Sequence, residues 1–261
     1  MNLLRSIYAT IIFEFKRSMS AQRITLAVIL SLFPPTMLFF TSVSGGELPI
    51  TDLLILILVG MVSVLAQLLW ATPNVYSELE GKSWIFLASR PRGRISLFLG
   101  KYLSSVFFSF AICLIAITLC LFIKTYVPPR TMTNPFPDWV GLSGVALVSC
   151  FVYSAIFSLI GTLFQKRAMV LGVAYFVMSD VVIANVPAII SRFTGRFHLQ
   201  GIASNWLGWM HPILTSSEYK DLFGDYSANF HLTCLASGVL VILTIGCIAV
   251  TTRQYITAEE T

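Results

Sequence analysis

The residues whose types could support chemistry lie between the second and third apolar runs of the chain. Glu78 and Glu80 form a pair of acids, and the Gly-Lys-Ser at 81–83 matches the end of a phosphate-binding loop. The spacing argues against acid–base catalysis by the pair, because residues at i and i+2 do not share a helix face. Nucleotide binding is also excluded, because that loop needs glycine where Tyr76 stands and a buried strand before it.

Asp180 is a second candidate, because it lies near the middle of a later apolar run. A carboxylate inside a membrane is costly, so this position predicts an intramembrane polar site. Two interpretations are open: a hydrogen-bonded Asp inside a helix bundle, or a polar contact on a substrate path or subunit interface. The histidines His198, His211 and His231 do not have the spacing of a zinc site. We therefore expect no metal, no cofactor and no catalytic residues in this chain.

The composition places these residues in a membrane protein. Hydrophobic residues make up 56% of the 261 positions and charged residues only 11%, whereas average soluble domains have about 25% charged residues. A soluble chain of this length cannot bury so much apolar surface in one core. An ordinary soluble enzyme and a disordered chain are therefore excluded. The five cysteines lie in apolar runs and read as buried thiols rather than disulfides.

Six apolar runs are close to the roughly 20 residues that cross the hydrocarbon layer as a helix. Lipid offers the backbone no hydrogen-bond partners, so each run is expected to be helical. The first run is too long for a cleaved signal and predicts a retained helix. The sequence thus predicts an all-α, polytopic membrane protein with one transmembrane domain over 1–261. The predicted spans are Ile24–Val43, Leu53–Ala71, Leu103–Val127, Val140–Phe164, Met169–Ile190 and Leu232–Thr251.

The basic residues orient these spans. Most of the 17 Lys and Arg residues lie on the side that holds both termini, which the positive-inside rule makes cytoplasmic. The net charge of +5 therefore reflects membrane orientation, and no nucleic-acid partner is expected. Residues 3–19 have apolar positions at helical spacing and predict an interfacial helix on the cytoplasmic leaflet. The 191–231 segment is expected outside the cell, with short aromatic-rich helices at the interface.

The longest cytoplasmic loop, 74–96, predicts a short amphipathic helix. Acids stand at its start, where the helix dipole favours them, and Pro91 and Gly93 end it. The alternative is a surface loop with anchoring basic residues. The order of all these parts resembles the membrane subunit of ABC-2 type ATP-binding-cassette transporters. The most specific match follows the second span and consists of Glu78, Glu80, Ser83, Leu87, Pro91, Arg94, Gly100 and Lys101.

The resemblance implies a permease subunit of an ATP-driven exporter in the inner membrane. Its cytoplasmic helix would dock on separate ATPase subunits, two per complex, which bind the ATP and Mg²⁺. A second permease subunit, identical or not, would complete the path, and membrane lipid would surround it. Export is expected because the external segment is too short for a substrate-binding domain. An ATPase-independent secondary transporter or channel, or a membrane scaffold, remains the alternative. The ATPase-coupling residues implied are Glu78, Glu80, Ser83, Trp84, Leu87, Arg90 and Arg94.

Overall fold

The computed structural model describes eight parts of the chain. They are residues 3–43, 60–73, 78, 93–126, 135–164, 167–185, 189–207 and 226–253. These residues form helices and turns, and there is no strand among them. The all-α prediction is therefore confirmed over this part of the chain.

Eight α-helices account for most of the described residues. The chain also has a π-helical turn at Val177–Val182 and 3-10 turns at Ile183–Asn185 and Ile189–Phe193, which lie between the sixth and the seventh of the α-helices named next. The α-helices are α1 (Leu3–Ser18), α2 (Ala21–Val43), α3 (Gly60–Trp70), α4 (Gly93–Tyr126), α5 (Phe136–Leu163), α6 (Ala168–Phe176), α7 (Gly195–Leu207) and α8 (Ala228–Thr252).

Within the described residues, four helices are long and apolar enough to cross a membrane: α2, α4, α5 and α8. They coincide with the first, third, fourth and sixth predicted spans, so the chain is a membrane protein. The second and fifth predicted spans coincide with the shorter apolar helices Gly60–Trp70 and Ala168–Val182. Membrane crossing by these two stays a prediction, as does an interfacial position for α1.

Helix α4 is longer than its predicted span. It has 34 residues, which at about 1.5 Å per residue exceeds the roughly 30 Å of a hydrocarbon core. The extra turns lie at its start, where Arg94 and Lys101 interrupt the apolar run without interrupting the helix. A hydropathy pattern marks the apolar stretch, so it misses the polar turns that extend the same helix.

Helices α4 and α5 form the centre of the bundle. Helix α4 contacts α1, α2, α5 and α8, while α5 also contacts α6, α7 and α8. In the most apolar stretch of α5, 61% of residues are buried, against 22% in α2 and 17% in α8. The outer helices expose large apolar side chains such as Phe40 and Leu240. Such surface is stable when lipid covers it, which fits a membrane protein.

Small residues allow the closest helix contacts, as expected in membrane bundles. Gly161 of α5 lies against the main-chain carbonyl of Thr72, just beyond α3. A Cβ atom on Gly172 of α6 would lie 2.6 Å from the Leu68 side chain of α3. These contacts hold the end of α3 against α5 and α6, and the chain then continues towards Glu78.

Candidate functional site

A buried cluster of charged side chains surrounds Glu78. Its side chain is 0% exposed, and its Oε1 atom accepts a hydrogen bond from Arg17 Nη1 at 2.7 Å. Lys101 Nζ lies at 2.7 Å from the same oxygen. A carboxylate without such cations would be very costly to bury. The two ion pairs therefore fix Glu78 to α1 and to α4 at once.

Glu14 adds a second carboxylate to this cluster. Its Oε1 atom lies 3.4 Å from Lys101 Nζ and 3.9 Å from Arg17 Nη1. Glu14 and Arg17 share a face of α1 because they are three residues apart. Lys101 is nearly buried as well. We call these four residues, Glu14, Arg17, Glu78 and Lys101, the charge cluster.

The sequence positions the charge cluster through a polar stripe along the inner side of α1. Ser6 Oγ donates a hydrogen bond to Ser96 Oγ of α4 at 3.0 Å. A Cβ atom on Gly100 would lie 2.7 Å from the Thr10 side chain, so glycine lets α1 approach α4 closely. Polar residues at spacings of three or four lie on one helix face. The stripe consists of Ser6, Thr10, Glu14 and Arg17.

A small cavity adjoins the charge cluster. Its volume is about 10 Å³, close to the space that one water molecule needs. Glu14 Oε1 and Trp70 Nε1 are buried there without a hydrogen-bond partner among the described residues. A cavity of this size cannot hold a metabolite. The charge cluster is therefore suited to joining helices rather than to binding a substrate. The lining residues are Glu14, Arg23, Trp70, Pro73, Lys101, Ser104 and Ser105.

Arg94 is the other predicted coupling residue that the structure describes. Its Nη1 atom donates to the main-chain oxygens of Thr251 and Arg253, at 3.2 and 3.4 Å. Carbonyls at a helix C-terminus lack partners within the helix and accept such bonds readily. Arg94 thus joins the start of α4 to the end of α8. The predicted residues Glu80, Ser83, Trp84, Leu87 and Arg90 lie outside the described residues.

Asp180 lies in the π-helical turn after α6 and is 3% exposed. Tyr153 of α5 donates a hydrogen bond to its Oδ2 atom, and Ser179 Oγ donates to Oδ1 at 3.0 Å. Arg196 Nη1 of α7 donates to the main-chain oxygen of Asp180. Asp180 is thus hydrogen-bonded inside the bundle, where it joins three elements of the chain. These hydrogen bonds agree with the first interpretation, and a role on a substrate path or subunit interface stays a prediction.

Replacing Tyr153 by phenylalanine is expected to destabilise the chain by about 1–3 kcal/mol, the usual cost of leaving a buried acceptor without its donor. Thermal unfolding in detergent measures the loss. The matched control is Tyr126→Phe, because Tyr126 is exposed at the end of α4 and such surface changes usually stay within about 0.5 kcal/mol. Equal effects of the two substitutions would show that the Asp180 contact contributes little.

The structure also pairs two histidines that the sequence did not connect. His198 of α7 and His231 of α8 lie 33 residues apart, yet their Nδ1 atoms are 2.9 Å apart. No group of three or more metal-ligating side chains occurs among the described residues. No signal in the sequence indicates this pairing, because it depends on how α7 packs against α8.

The described part of the chain thus forms a helical membrane bundle with internal polar contacts. Among them are the charge cluster, the hydrogen bonds of Asp180 and the histidine pair. No protein-family model and no curated protein matches the sequence.

Proposed function

We propose that the chain is the membrane-spanning permease subunit of an ATP-driven exporter of the ABC-2 type. The observation that supports this proposal best is the charge cluster. Glu78 begins the segment that resembles the ATPase-docking helix, and its carboxylate pairs with Arg17 of α1 and Lys101 of α4. A force applied to this segment would therefore reach two membrane-associated helices directly.

Arg94 supports the same proposal from the other end of the segment. It begins α4 and donates to the carbonyls at the end of α8. Glu78 and Arg94, which flank residues 79–92 in the sequence, thus both contact the helices of the bundle. In the proposed mechanism Glu78 anchors the docking segment, and Glu80, Trp84, Leu87 and Arg90 meet the ATPase. Glu78 is given the anchoring role because its carboxylate is fully buried, and a buried carboxylate is better placed to anchor the segment than to contact a partner.

The proposal assigns the chemistry to other subunits. Two cytoplasmic ATPases bind ATP and Mg²⁺, and their movement is transmitted through the docking segment to the helices. A second permease subunit completes the translocation path in the inner membrane. Both termini of this chain lie in the cytoplasm in that arrangement, as the distribution of Lys and Arg predicts.

The decisive experiment is a purification of the tagged chain, in mild detergent, after co-expression with its neighbouring genes. We expect a soluble ATPase to co-purify in stoichiometric amount and to hydrolyse ATP in the complex. A chain that retains no ATPase would overturn the proposal.

Charge-reversal variants test separately the proposed anchoring role of Glu78 and the proposed ATPase contact of Glu80. Glu80→Lys is expected to lower the retained ATPase about tenfold, equivalent to about 1.4 kcal/mol of binding free energy, with unfolding unchanged. Glu78→Lys is expected to lower both ATPase retention and stability, because it places a third cation beside Arg17 and Lys101. Lys16→Glu is the matched control, since Lys16 is exposed on α1. If all three variants retain the ATPase equally, the docking segment is wrongly assigned.

The change of helix type at Asp180 favours a second candidate, an ATPase-independent secondary transporter. Irregular helices with buried polar groups are typical of substrate or ion sites in such proteins. Asp180 lies in a π-helical turn, and π-turns are frequent at functional sites. Transport by the purified chain without any ATPase, abolished by Asp180→Asn, would favour this candidate over the first.

A further inference from the structure

A hydrogen bond between two imidazoles joins α7 to α8. His198 and His231 approach through their Nδ1 atoms at 2.9 Å. One Nδ1 must donate a proton and the other must accept it, so at least one ring is neutral. His231 is only 4% exposed, whereas His198 is partly exposed. If both rings carried a charge, two N–H groups would face each other and the bond could not form.

Aromatic rings enclose this pair on several sides. The Phe197 ring centroid lies 5.3 Å from that of His198 and 5.7 Å from that of His231. Phe230 lies 5.7 Å from His231 and stacks on Tyr226 at 4.5 Å. Such an apolar enclosure disfavours the charged form of an imidazole.

Gly201 makes room for the His231 ring. A Cβ atom on Gly201 would lie 2.6 Å from the Cδ2 atom of His231, so this position of α7 excludes any side chain. The His231 ring therefore lies directly against α7. Its hydrogen bond to His198 joins α7 to α8 at this point.

Charged side chains and tyrosines occur on the elements packed against α7 and α8. Arg192 precedes α7, and its guanidinium lies 5.7 Å from the centre of the Tyr226 ring. The described groups around α7 are Arg192, Arg196, Tyr226, Asp180 of the π-helical turn and, on α5, Asp138 and Tyr153. Helix α4, which packs against α8, adds Arg94, Lys101, Tyr102, Lys124 and Tyr126.

Burial lowers the pKa of His198 below its ordinary value, although a hydrogen bond with the Arg192 backbone partly opposes this. The folded chain therefore binds fewer protons at this residue than the unfolded chain does. Its contribution to stability is complete above about pH 6.5, the ordinary pKa of histidine. That contribution is lost as the pH falls below this value, because the unfolded or opened form takes up the proton first.

We propose that His198 and His231 form an acid-sensitive clasp between α7 and α8. At neutral pH the pair is closed by its hydrogen bond. A single added proton leaves one ring neutral and the bond intact. When acidification protonates both rings, each Nδ1 atom carries a hydrogen, the two cations repel each other, and α7 separates locally from α8. The distribution of Lys and Arg places α7 on the external side, so the clasp responds to the external pH. This inference does not depend on the proposed ATPase partner.

Hydrogen exchange of the full chain in lipid nanodiscs tests the clasp. Exchange is measured by mass spectrometry at pH 7.5 and 5.5 and corrected for the intrinsic pH dependence of amide exchange. We expect the protection of α7 to fall at the lower pH, by at most about tenfold, because pH 5.5 lies about one unit below the ordinary pKa of histidine. Amides in α5 are expected to keep their protection. An unchanged α7 would overturn the proposal.

Two variants identify the group that responds. His198→Asn keeps a hydrogen-bonding side chain near the Nδ1 position but does not titrate in this range, and it is expected to lose the pH response. The matched control is His211→Gln, which removes the third histidine of the chain and should leave the response unchanged. The proposal is wrong if His198→Asn responds like the native chain or if His211→Gln abolishes the response.

A second measurement applies if His198→Asn does not fold. The native chain has only three histidines, so their imidazole nitrogens can be followed by NMR across the same pH range. A coupled pair takes up its protons in two separate steps. We expect the more acidic step to coincide with the loss of α7 protection. Three independent titrations near pH 6.5 would contradict the clasp.

Discussion

Lys101→Met is expected to lower the free energy of unfolding by about 3–5 kcal/mol, the cost of removing one partner from a buried ion pair. The substitution keeps most of the side-chain volume but removes the cation that lies 2.7 Å from Glu78 and 3.4 Å from Glu14. Two buried carboxylates then lose the better buried of the two cations that they share, since Arg17 is more exposed than Lys101. Thermal unfolding of the purified chain in detergent, with intrinsic tryptophan fluorescence as the signal, measures the effect.

Lys16→Met is the matched control, because Lys16 is exposed on α1 and is expected to change stability by less than about 0.5 kcal/mol. The double variant Glu78→Gln/Lys101→Met removes one charge of each sign. It is expected to be more stable than Lys101→Met alone, and together with the single variant Glu78→Gln it completes the cycle that measures the coupling between the two residues. If Lys101→Met were as mild as Lys16→Met, the charge cluster would not hold the helices together.

The long helices were the part of this fold that could be predicted from the sequence. An apolar run of sufficient length has one stable form in lipid, so α2, α4, α5 and α8 follow from composition and length alone. The helix over the first residues also follows from local spacing, since polar and apolar positions alternate with a helical period in α1. Such features are encoded within twenty or thirty consecutive residues.

The charge cluster could be predicted only in part. Glu78 stood out because of the family resemblance, but its partners are 61 residues before it and 23 after it in the chain. Nothing local connects Arg17 or Lys101 to that acid. One signal was present: α1 carries polar residues every three or four positions on the side opposite Leu4, Tyr8 and Ile12, which are exposed. A helix with apolar residues outside and polar residues inside indicates polar contacts within a membrane protein.

The change of helix type within the fifth predicted span was not predicted from the sequence. The run from Met169 to Ile190 reads as one apolar helix, yet it changes to π and 3-10 turns after Phe176. The physical reason lies in tertiary contacts, because Asp180 is hydrogen-bonded by Tyr153 of α5 and Arg196 of α7. Extra turns of this kind let a helix redirect its polar groups towards partners that local sequence does not reveal.

These observations connect the stability of the bundle with the proposed coupling to an ATPase. Thr72 lies only six residues before Glu78, and Gly161 of α5 fixes its position. The chain that leaves α3 is therefore held first against α5 and then by the charge cluster. A disturbance at Gly161 should consequently be felt in the docking segment as well as in the packing.

Gly161→Leu is accordingly expected to destabilise the chain by about 3 kcal/mol, the upper part of the usual range for overpacking. The space that a side chain would need is occupied by the Thr72 main chain, which cannot rotate away as a side chain could. Gly238→Leu is the matched control, since nothing lies within 4 Å of a Cβ atom at Gly238 of α8. That control is expected to be neutral, or stabilising by up to about 1 kcal/mol, because leucine favours the helix over glycine. The unfolding temperature and the ATPase retention should both fall for Gly161→Leu, and neither should fall for Gly238→Leu. If Gly161→Leu loses stability but keeps its ATPase fully bound, the end of α3 does not position the docking segment.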